Sequence, residues 1–342
     1  MRLALTAFTL RGARLARHLA EELRKVGYTC AEAYPEKLAA GLESESYGRL
    51  QTWTGEQFQH ADGLIFVGAC GIVVRAIAPF VKDKFTDPAV VAIDEGGNFI
   101  IPLLSGHVGG ANDLARRAAA LTGGVAVVTT ATDINGVFAV DQWAARQGIY
   151  LDNRSAAKHI SASLLAGKHV SLKSDFPIQG EFPAGLTETP GPLGIWVTAK
   201  AGPGPFAETL RLIPPVLNVG IGCRRGIGRD AVDRAVRTAL EAYGLSERAV
   251  KRVCTVELKK EEPGLLEFCR EKRLPLSIYT AEELLETRGS FTGSAFVEHI
   301  TGVDNVCERA AVRAGGVLII KKRALEGVTV AVSCEPFTVR FD

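Results

Sequence analysis

The chain has 342 residues, 47% of them hydrophobic and 23% charged, with a formal net charge of +2. That length exceeds one average domain, the composition is that of an ordinary globular chain with a sizeable core, and the near-neutral balance demands no polyanionic partner. The seven cysteines include no CxxC pair, which argues against a disulfide framework or structural zinc and for buried thiols in a reducing, cytoplasmic compartment.

The spacing of apolar residues predicts a strand over 3–8, then a helix over 10–26 stopped by Gly27. The opening MRLALTAFTLRG therefore reads as strand and helix rather than as a signal peptide. Residues 41–52 read as a polar, irregular piece, after which Thr54 and Gln57 are placed as a capping box for a short helix. LIFVG at 64–68 has the apolar run of a central parallel strand. Gly68-Ala69-Cys70-Gly71 leads from it into a short helix over 72–77. Residues 89–93 form a strand, 94–98 a turn, and 99–104 a further strand whose Pro102 argues against a fully bonded central position. Ser105-Gly106-His107-Val108-Gly109-Gly110 opens a helix to about Leu121, and 125–130 is the next strand, ending in Thr129-Thr130-Ala131-Thr132-Asp133.

Strand, glycine loop and helix repeat in order, which predicts an α/β fold with a doubly wound, mainly parallel sheet over 1–133. A middle α/β segment over 134–212 has helices at 137–146 and 156–165 and strands at 170–173 and 195–198. The Pro- and Gly-rich tract 199–215 is read as the boundary before a separate C-terminal α/β domain over 217–336. That domain starts with a strand at 217–222 and the loop Cys223-Arg224-Arg225-Gly226. Helices are expected over 229–243, 263–272, 281–286 and 303–314, and strands over 253–257, 276–278, 317–321 and 328–332.

The segment from Ser105 to Asp113 is the richest site candidate, since it puts a hydroxyl, an imidazole and several small residues between a strand and a helix. Amides at a helix head hold anions, and His107 exchanges protons near neutral pH. The bland alternative is that Ser105 caps the helix and His107 satisfies a backbone carbonyl. Asp94 and Glu95 end another strand, where paired carboxylates supply an acid or base, or simply make a turn beside Gly96-Gly97. Asp133 ends a third. If all strand ends share one crevice, the loops 94–95, 105–107 and 130–133 meet there.

Arg224 and Arg225 stand where a loop enters a helix, and Arg75, Lys82 and Lys84 form another basic rim; each suits carboxylates or is solvated surface charge. Glu257 and Lys259 are placed on one strand face, pointing into a cleft, or in an exposed charge run. Gly220-Ile221-Gly222 lacks the full dinucleotide fingerprint, and no GKS or GKT, GxSxG or HExxH occurs. Residues alone thus stop at a small-molecule enzyme with a carboxylate- or phosphate-bearing ligand.

Together these motifs resemble the CbiG family, the cobalt-precorrin-5A hydrolases of anaerobic cobalamin biosynthesis. The matching text is GACGIVVRAIAPFVKDKFTDPAVVAIDEGG at 68–97, LLSGHVGGANDLARRAAALTGG at 103–124 and VTTATDINGVFAVDQWA at 128–144. It continues as VGIGCRRGIG at 219–228, VELKKEEPGL at 256–265, CERAAVRAGG at 307–316 and VTVAVS at 328–333. The C-terminal domain also resembles the small CobE-type proteins of the aerobic pathway.

The resemblance implies a hydrolase that opens the δ-lactone of cobalt-precorrin-5A with water. Ring A regains its acetate, acetaldehyde leaves, and cobalt-precorrin-5B is formed. Cobalt arrives with the substrate, and no protein cofactor or metal site is expected. His107 is the expected proton-transfer residue, with Glu95 or Asp94 as companion carboxylate, Ser105 as hydrogen-bond donor and Asp133 orienting His107 or water. Substrate contacts are expected at Gly71, Arg75, Gly106, Gly109 and Thr130, and at Gly222, Cys223, Arg224, Arg225, Glu257 and Lys259. A flat, acid-fringed ring needs a wide cleft with an apolar floor and cationic or amide donors at its rim. The resemblance leaves open a homodimer and transient contacts with neighbouring cobalamin-pathway enzymes; neither nucleic acid nor membrane is expected. The alternatives are a non-catalytic tetrapyrrole carrier or scaffold, and a precorrin methyltransferase.

Overall fold

The computed structural model describes residues 1–342 apart from Glu43, 84–85, 107–108, 294–298, Ile300 and Asp342, and apart from the Thr132 side chain. Two units divide the chain, Met1–Trp143 and Ala144–Asp342.

In the first unit the strands are β1 (Arg2–Ala7), β2 (Thr29–Pro35), β3 (Glu45–Tyr47), β4 (Gly63–Val67), β5 (Ala89–Ile93), β6 (Phe99–Leu104) and β7 (Val125–Ala126). The helices are α1 (Leu10–Lys25), α2 (Glu36–Ala39), α3 (Leu50–His60), α4 (Cys70–Ile77), α5 (Ala111–Thr122) and α6 (Ala131–Ile134), and α7 (Val140–Arg146) runs on into the second unit. One sheet has the order β3-β2-β1-β4-β5-β6-β7. All its pairings are parallel except β5 with β6.

β4 and β5 are buried along their whole length because helices cover both faces. Leu3, Leu5, Ile65, Val67, Val91 and Ile93 pack on one side with α1 and α5. Ala4, Leu64, Phe66, Val90 and Ala92 pack on the other with Trp53 of α3 and with Val73 and Ile77 of α4. Each fully buried Leu, Ile or Phe contributes about 1.5–3 kcal/mol, so this double layer is the main source of the unit's stability.

Some local expectations give way. α3 begins at Leu50, so Thr54 is not a cap but a buried residue inside the helix. The anchor is Trp53, which stacks on Tyr47 with ring centroids 5.2 Å apart and meets Phe66 edge-on at 5.9 Å. Pro102 lies opposite Val91 beside a register shift, and β7 pairs only with Phe99 and Ile100. The strand expected over 125–130 therefore stops at Ala126.

The second unit contains β8 (Tyr150–Leu151), α8 (Arg154–Leu165), β9 (Val170–Ser174), β10 (Ile178–Gln179), β11 (Leu186–Thr187), β12 (Leu193–Val197) and β13 (Glu208–Ile213). It goes on through β14 (Leu217–Cys223), α9 (Arg229–Glu241), β15 (Val250–Val256), α10 (Pro263–Lys272), β16 (Leu276–Tyr279), α11 (Ala281–Leu285), α12 (Val306–Ala314), β17 (Val317–Leu325), β18 (Val328–Cys334) and β19 (Val339–Arg340). Its two larger sheets run β11-β9-β12-β13-β8 and β16-β15-β14-β18-β17, and β10 pairs with β19. β13 lies inside the tract read as the domain boundary; only Pro214-Pro215-Val216 separates it from β14. The strand expected through Glu257 ends at Val256, and Glu257–Lys259 is a 3-10 turn, so Glu257 and Lys259 share no strand face.

The glycines of β14 serve packing. A Cβ on Gly220 would lie 1.8 Å from the Cys307 carbonyl oxygen, and one on Gly222 would lie 2.7 Å from Thr329 Oγ1. Gly220 lets α12 lie directly on the strand, and Gly222 leaves room for Thr329 of β18. No described helix is long and apolar enough to cross a membrane.

Candidate functional site

Strand direction decides which loops can meet. β4 and β5 run parallel, so Gly68–Gly71 and Asp94–Glu95 leave the same edge of the first sheet. β6 returns antiparallel, with Ile93 opposite Ile100 and Val90 opposite Leu104. Ser105 thus emerges at the start of β5, not at its end. β7 runs with β6, so Thr130 and Asp133 follow to Ser105's edge. The expected meeting of three loops does not form: Asp94 and Glu95 lie across the sheet from Ser105, Gly106, Thr130 and Asp133.

At that second edge, Ser105 is buried and holds φ +55°, a left-handed conformation costly for a residue with a Cβ. Its hydroxyl donates to the Asp87 carbonyl oxygen at 2.9 Å. Ser105 therefore neither caps α5 nor has its hydroxyl hydrogen directed at a ligand. α5 starts instead from Gly110, left-handed at φ +84° and without a side-chain cap. The Ala111 and Asn112 amides donate back to the Ser105 and Gly106 carbonyls at 3.1 and 3.0 Å, closing the loop. A Cβ on Gly109 would meet Ser105 Cβ at 2.4 Å, so the loop's two sides touch. His107 and Lys84 lie outside the described residues.

Asn112, 1% exposed, donates through Nδ2 to Thr130 Oγ1 and to Asp133 Oδ2, both at 3.0 Å. Arg116 pairs with Asp133 and, at 3.1 Å, with Asp113. The hydrogen bond from Asp133 leads the causes that raise the Arg116 guanidinium above its ordinary value. Asp87 accepts the Lys82 and Asp83 amides at 2.8 and 3.1 Å, fixing the loop before β5. Arg116 and Asp87 were not singled out from the sequence, and Asn112 entered only as part of the segment from Ser105 to Asp113, with no role given to it. The signal for a role was an asparagine early in a helix, a position where a side chain seeks partners outside the helix ladder.

At the first edge, β1 and β4 flank the point where strand order reverses, the usual ligand crevice of such sheets. Glu95 accepts the Thr9 hydroxyl there at 2.7 Å. Asp94 accepts the amides of Phe99 and Gly96 at 2.5 and 3.1 Å and the Asn98 side chain at 3.1 Å. Burial pushes its carboxyl upward, but those donors outweigh it and hold the group below its ordinary value, as suits a turn residue. Arg75 folds back along α4: a Cβ on Gly71 would lie 3.6 Å from its Nη2.

In the second unit, Gly222 and Cys223 end β14, and Arg224 and Arg225 are exposed beyond them. Burial pushes the Cys223 thiol up to about 11, which leaves it protonated and a poor nucleophile at neutral pH. Glu262, nearly buried, accepts the Gly226 amide at 2.6 Å and pairs with Lys259 at 3.5 Å. Lys259 is thereby tied into the loop. Glu257 is exposed and pairs with Lys260 at 3.0 Å. Among the described residues no three His, Cys, Asp or Glu groups are arranged to hold a metal ion.

Three family descriptions match in sequence: Cobalamin synthesis G N-terminal over residues 52–133, Cobalamin biosynthesis central region over 138–214, and Cobalamin synthesis G C-terminus over 217–333. A cobalt-precorrin-5A hydrolase of Salmonella typhimurium is 35% identical over 96% of this chain and 97% of its own length. Another, from Priestia megaterium, is 31% identical over 98% of this chain and 95% of its own. Protein CobE of a Sinorhizobium species is 29% identical over 42% of this chain and 87% of its own length. On this full-length similarity the chain belongs to the CbiG family of cobalt-precorrin-5A hydrolases, with a CobE-like C-terminal region.

Proposed function

We propose that this protein hydrolyses the δ-lactone of cobalt-precorrin-5A and releases acetaldehyde, giving cobalt-precorrin-5B. The observation that carries the reading is similarity along nearly the whole chain to two proteins of that name. The chemistry is assigned to the sheet edge that holds Ser105, Gly106, Gly109, Thr130 and Asp133. His107, which falls between Ser105 and Gly109 in the sequence, is the proposed proton-transfer residue, because an imidazole changes charge near neutral pH. Asp133, held by Asn112 and Arg116, is the proposed orienting group.

Water adds to the lactone carbonyl, and the ring C–O bond breaks to give the acetate and a hydroxyl on the two-carbon bridge. Removal of that hydroxyl's proton forms the aldehyde C=O. The C–C bond to the macrocycle breaks, and its electron pair takes up a proton. Two proton transfers of this kind suit one residue that gives and takes. The positive end of α5 favours the negative charge that develops on oxygen at this edge. The substrate carries the cobalt. Buried thiols such as Cys254 and Cys269 suit a reducing cytoplasm, to which we assign the reaction.

Purified protein is incubated anaerobically with cobalt-precorrin-5A, and acetaldehyde and product mass are measured together. Stoichiometric release with the matching product mass is expected. Binding without consumption of lactone would instead make the protein a carrier. His107→Ala and His107→Gln should each slow release by about 10²-fold or more. Near-normal release from folded variants would remove the His107 role.

A further inference from the structure

We infer that Asn112 is a positioning residue of this reaction: its carboxamide joins the loop that begins at Ser105 to the one that ends at Asp133, and so aims the Asp133 carboxylate. The inference rests on the hydrolase reading above and adds a residue to it.

An amide in the first turn of a helix is a weak helix former, and burying it costs free energy unless its hydrogens are bonded. Asn112 is 1% exposed, and its Nδ2 has two hydrogens. They have two acceptors, Thr130 Oγ1 and Asp133 Oδ2, both at 3.0 Å. On its other side, a Cβ on Gly106 would lie 2.8 Å from Asn112 Oδ1. Glycine at 106 is therefore what lets the carboxamide occupy this place. The Asn112 amide closes the same loop by donating to the Gly106 carbonyl at 3.0 Å. One residue thus fixes both loops by its backbone and its side chain.

Arg116 holds the other oxygen of Asp133. Asn112 and Arg116 thus hold different oxygens, one through a neutral amide and the other through a cation, and both contribute to the rotation of the carboxylate. Without Asn112 the pairing to Arg116 persists, but Oδ2 loses the hydrogen bond that ties it to α5. A displacement of about 1 Å at an orienting group lowers turnover by up to about 10²-fold.

Asn112→Ala and Asn112→Asp are compared with wild type for acetaldehyde release across pH, with circular dichroism and thermal melting at each pH. Both variants should lose about 10- to 100-fold in kcat, with KM for cobalt-precorrin-5A changed by less than about threefold. Asn112→Asp keeps the shape but sets a second carboxylate against Asp133, and two such groups share a proton. Its kcat should therefore recover towards acid pH relative to wild type, while that of Asn112→Ala should not. A merely structural stitch would not give that divergence. The inference is overturned by kcat within about threefold of wild type in both variants. It is equally overturned by parallel pH profiles, or by losses that track melting of the fold. Wild-type protein that releases no acetaldehyde would instead remove the hydrolase reading, so the two failures are told apart.

Discussion

The Thr9 hydroxyl donates to Glu95 Oε1 across 2.7 Å, tying the head of α1 to the turn after β5. The same Oγ1 accepts the Gly12 amide at 3.1 Å, so one side chain both caps a helix and engages a carboxylate. Glu95 is thereby a partner of Thr9 at the edge opposite Asp133.

This separation makes a clear demand on mutants. Glu95→Gln keeps an acceptor for Thr9 and should leave kcat for acetaldehyde release within about threefold of wild type, since only a half-buried charge at the opposite edge is lost. Thr9→Ala removes the cap and should cost about 1 kcal/mol in urea unfolding. If Glu95→Gln were as slow as Asn112→Asp, the chemistry would belong to the first edge instead.

The glycines of β14 make a different demand, one of packing. In Gly220→Ala the new methyl would meet the Cys307 backbone oxygen at 1.8 Å, and backbone cannot rotate aside. Overpacking of this kind costs about 1–3 kcal/mol or more, at the upper end where backbone must move. Gly226→Ala meets nothing within 4 Å and pays only for its φ of +75°, about 1–2 kcal/mol. Urea unfolding followed by circular dichroism should rank Gly220→Ala as the costlier of the two. The reverse order would mean that α12 does not rest on β14 as described.

Central strands were the most legible part of the sequence. Residues 89–93 and the helix from Pro263 to Lys272 fall where apolar runs and a first-turn proline put them. Direction was not legible. The run 99–104 reads as a strand either way, and only pairing with β5 reveals that it is antiparallel. That one reversal parts Glu95 from Asp133. Thr54 was misread because a Thr-x-x-Gln spacing looks like a cap, while the helix already begins at Leu50 and carries Trp53 onto Tyr47. Asn112 fell inside the candidate segment 105–113, but its role stayed hidden because its partners Thr130 and Asp133 are 18 and 21 residues away. Chain spacing carries no record of such contacts.

Asp175 gives the second unit an acid-sensitive tie. It accepts the Thr198 hydroxyl at 2.7 Å and Trp196 Nε1 at 3.2 Å, with Lys200 Nζ at 3.4 Å. Burial raises its pKa, but these donors and the lysine charge outweigh burial and leave it below the ordinary 3.8. The folded chain thus releases this proton more readily than the unfolded one. The resulting stabilisation is complete above the unfolded value and disappears as pH falls through the lower, folded one. Asp175→Asn should therefore cost about 1–2 kcal/mol at neutral pH in urea titrations read by tryptophan fluorescence. The gap to wild type should stay level down to the ordinary carboxylate range and then narrow. A gap that widens under acid would mean that the charge of Asp175 opposes the fold, contrary to the hydrogen bonds that surround it.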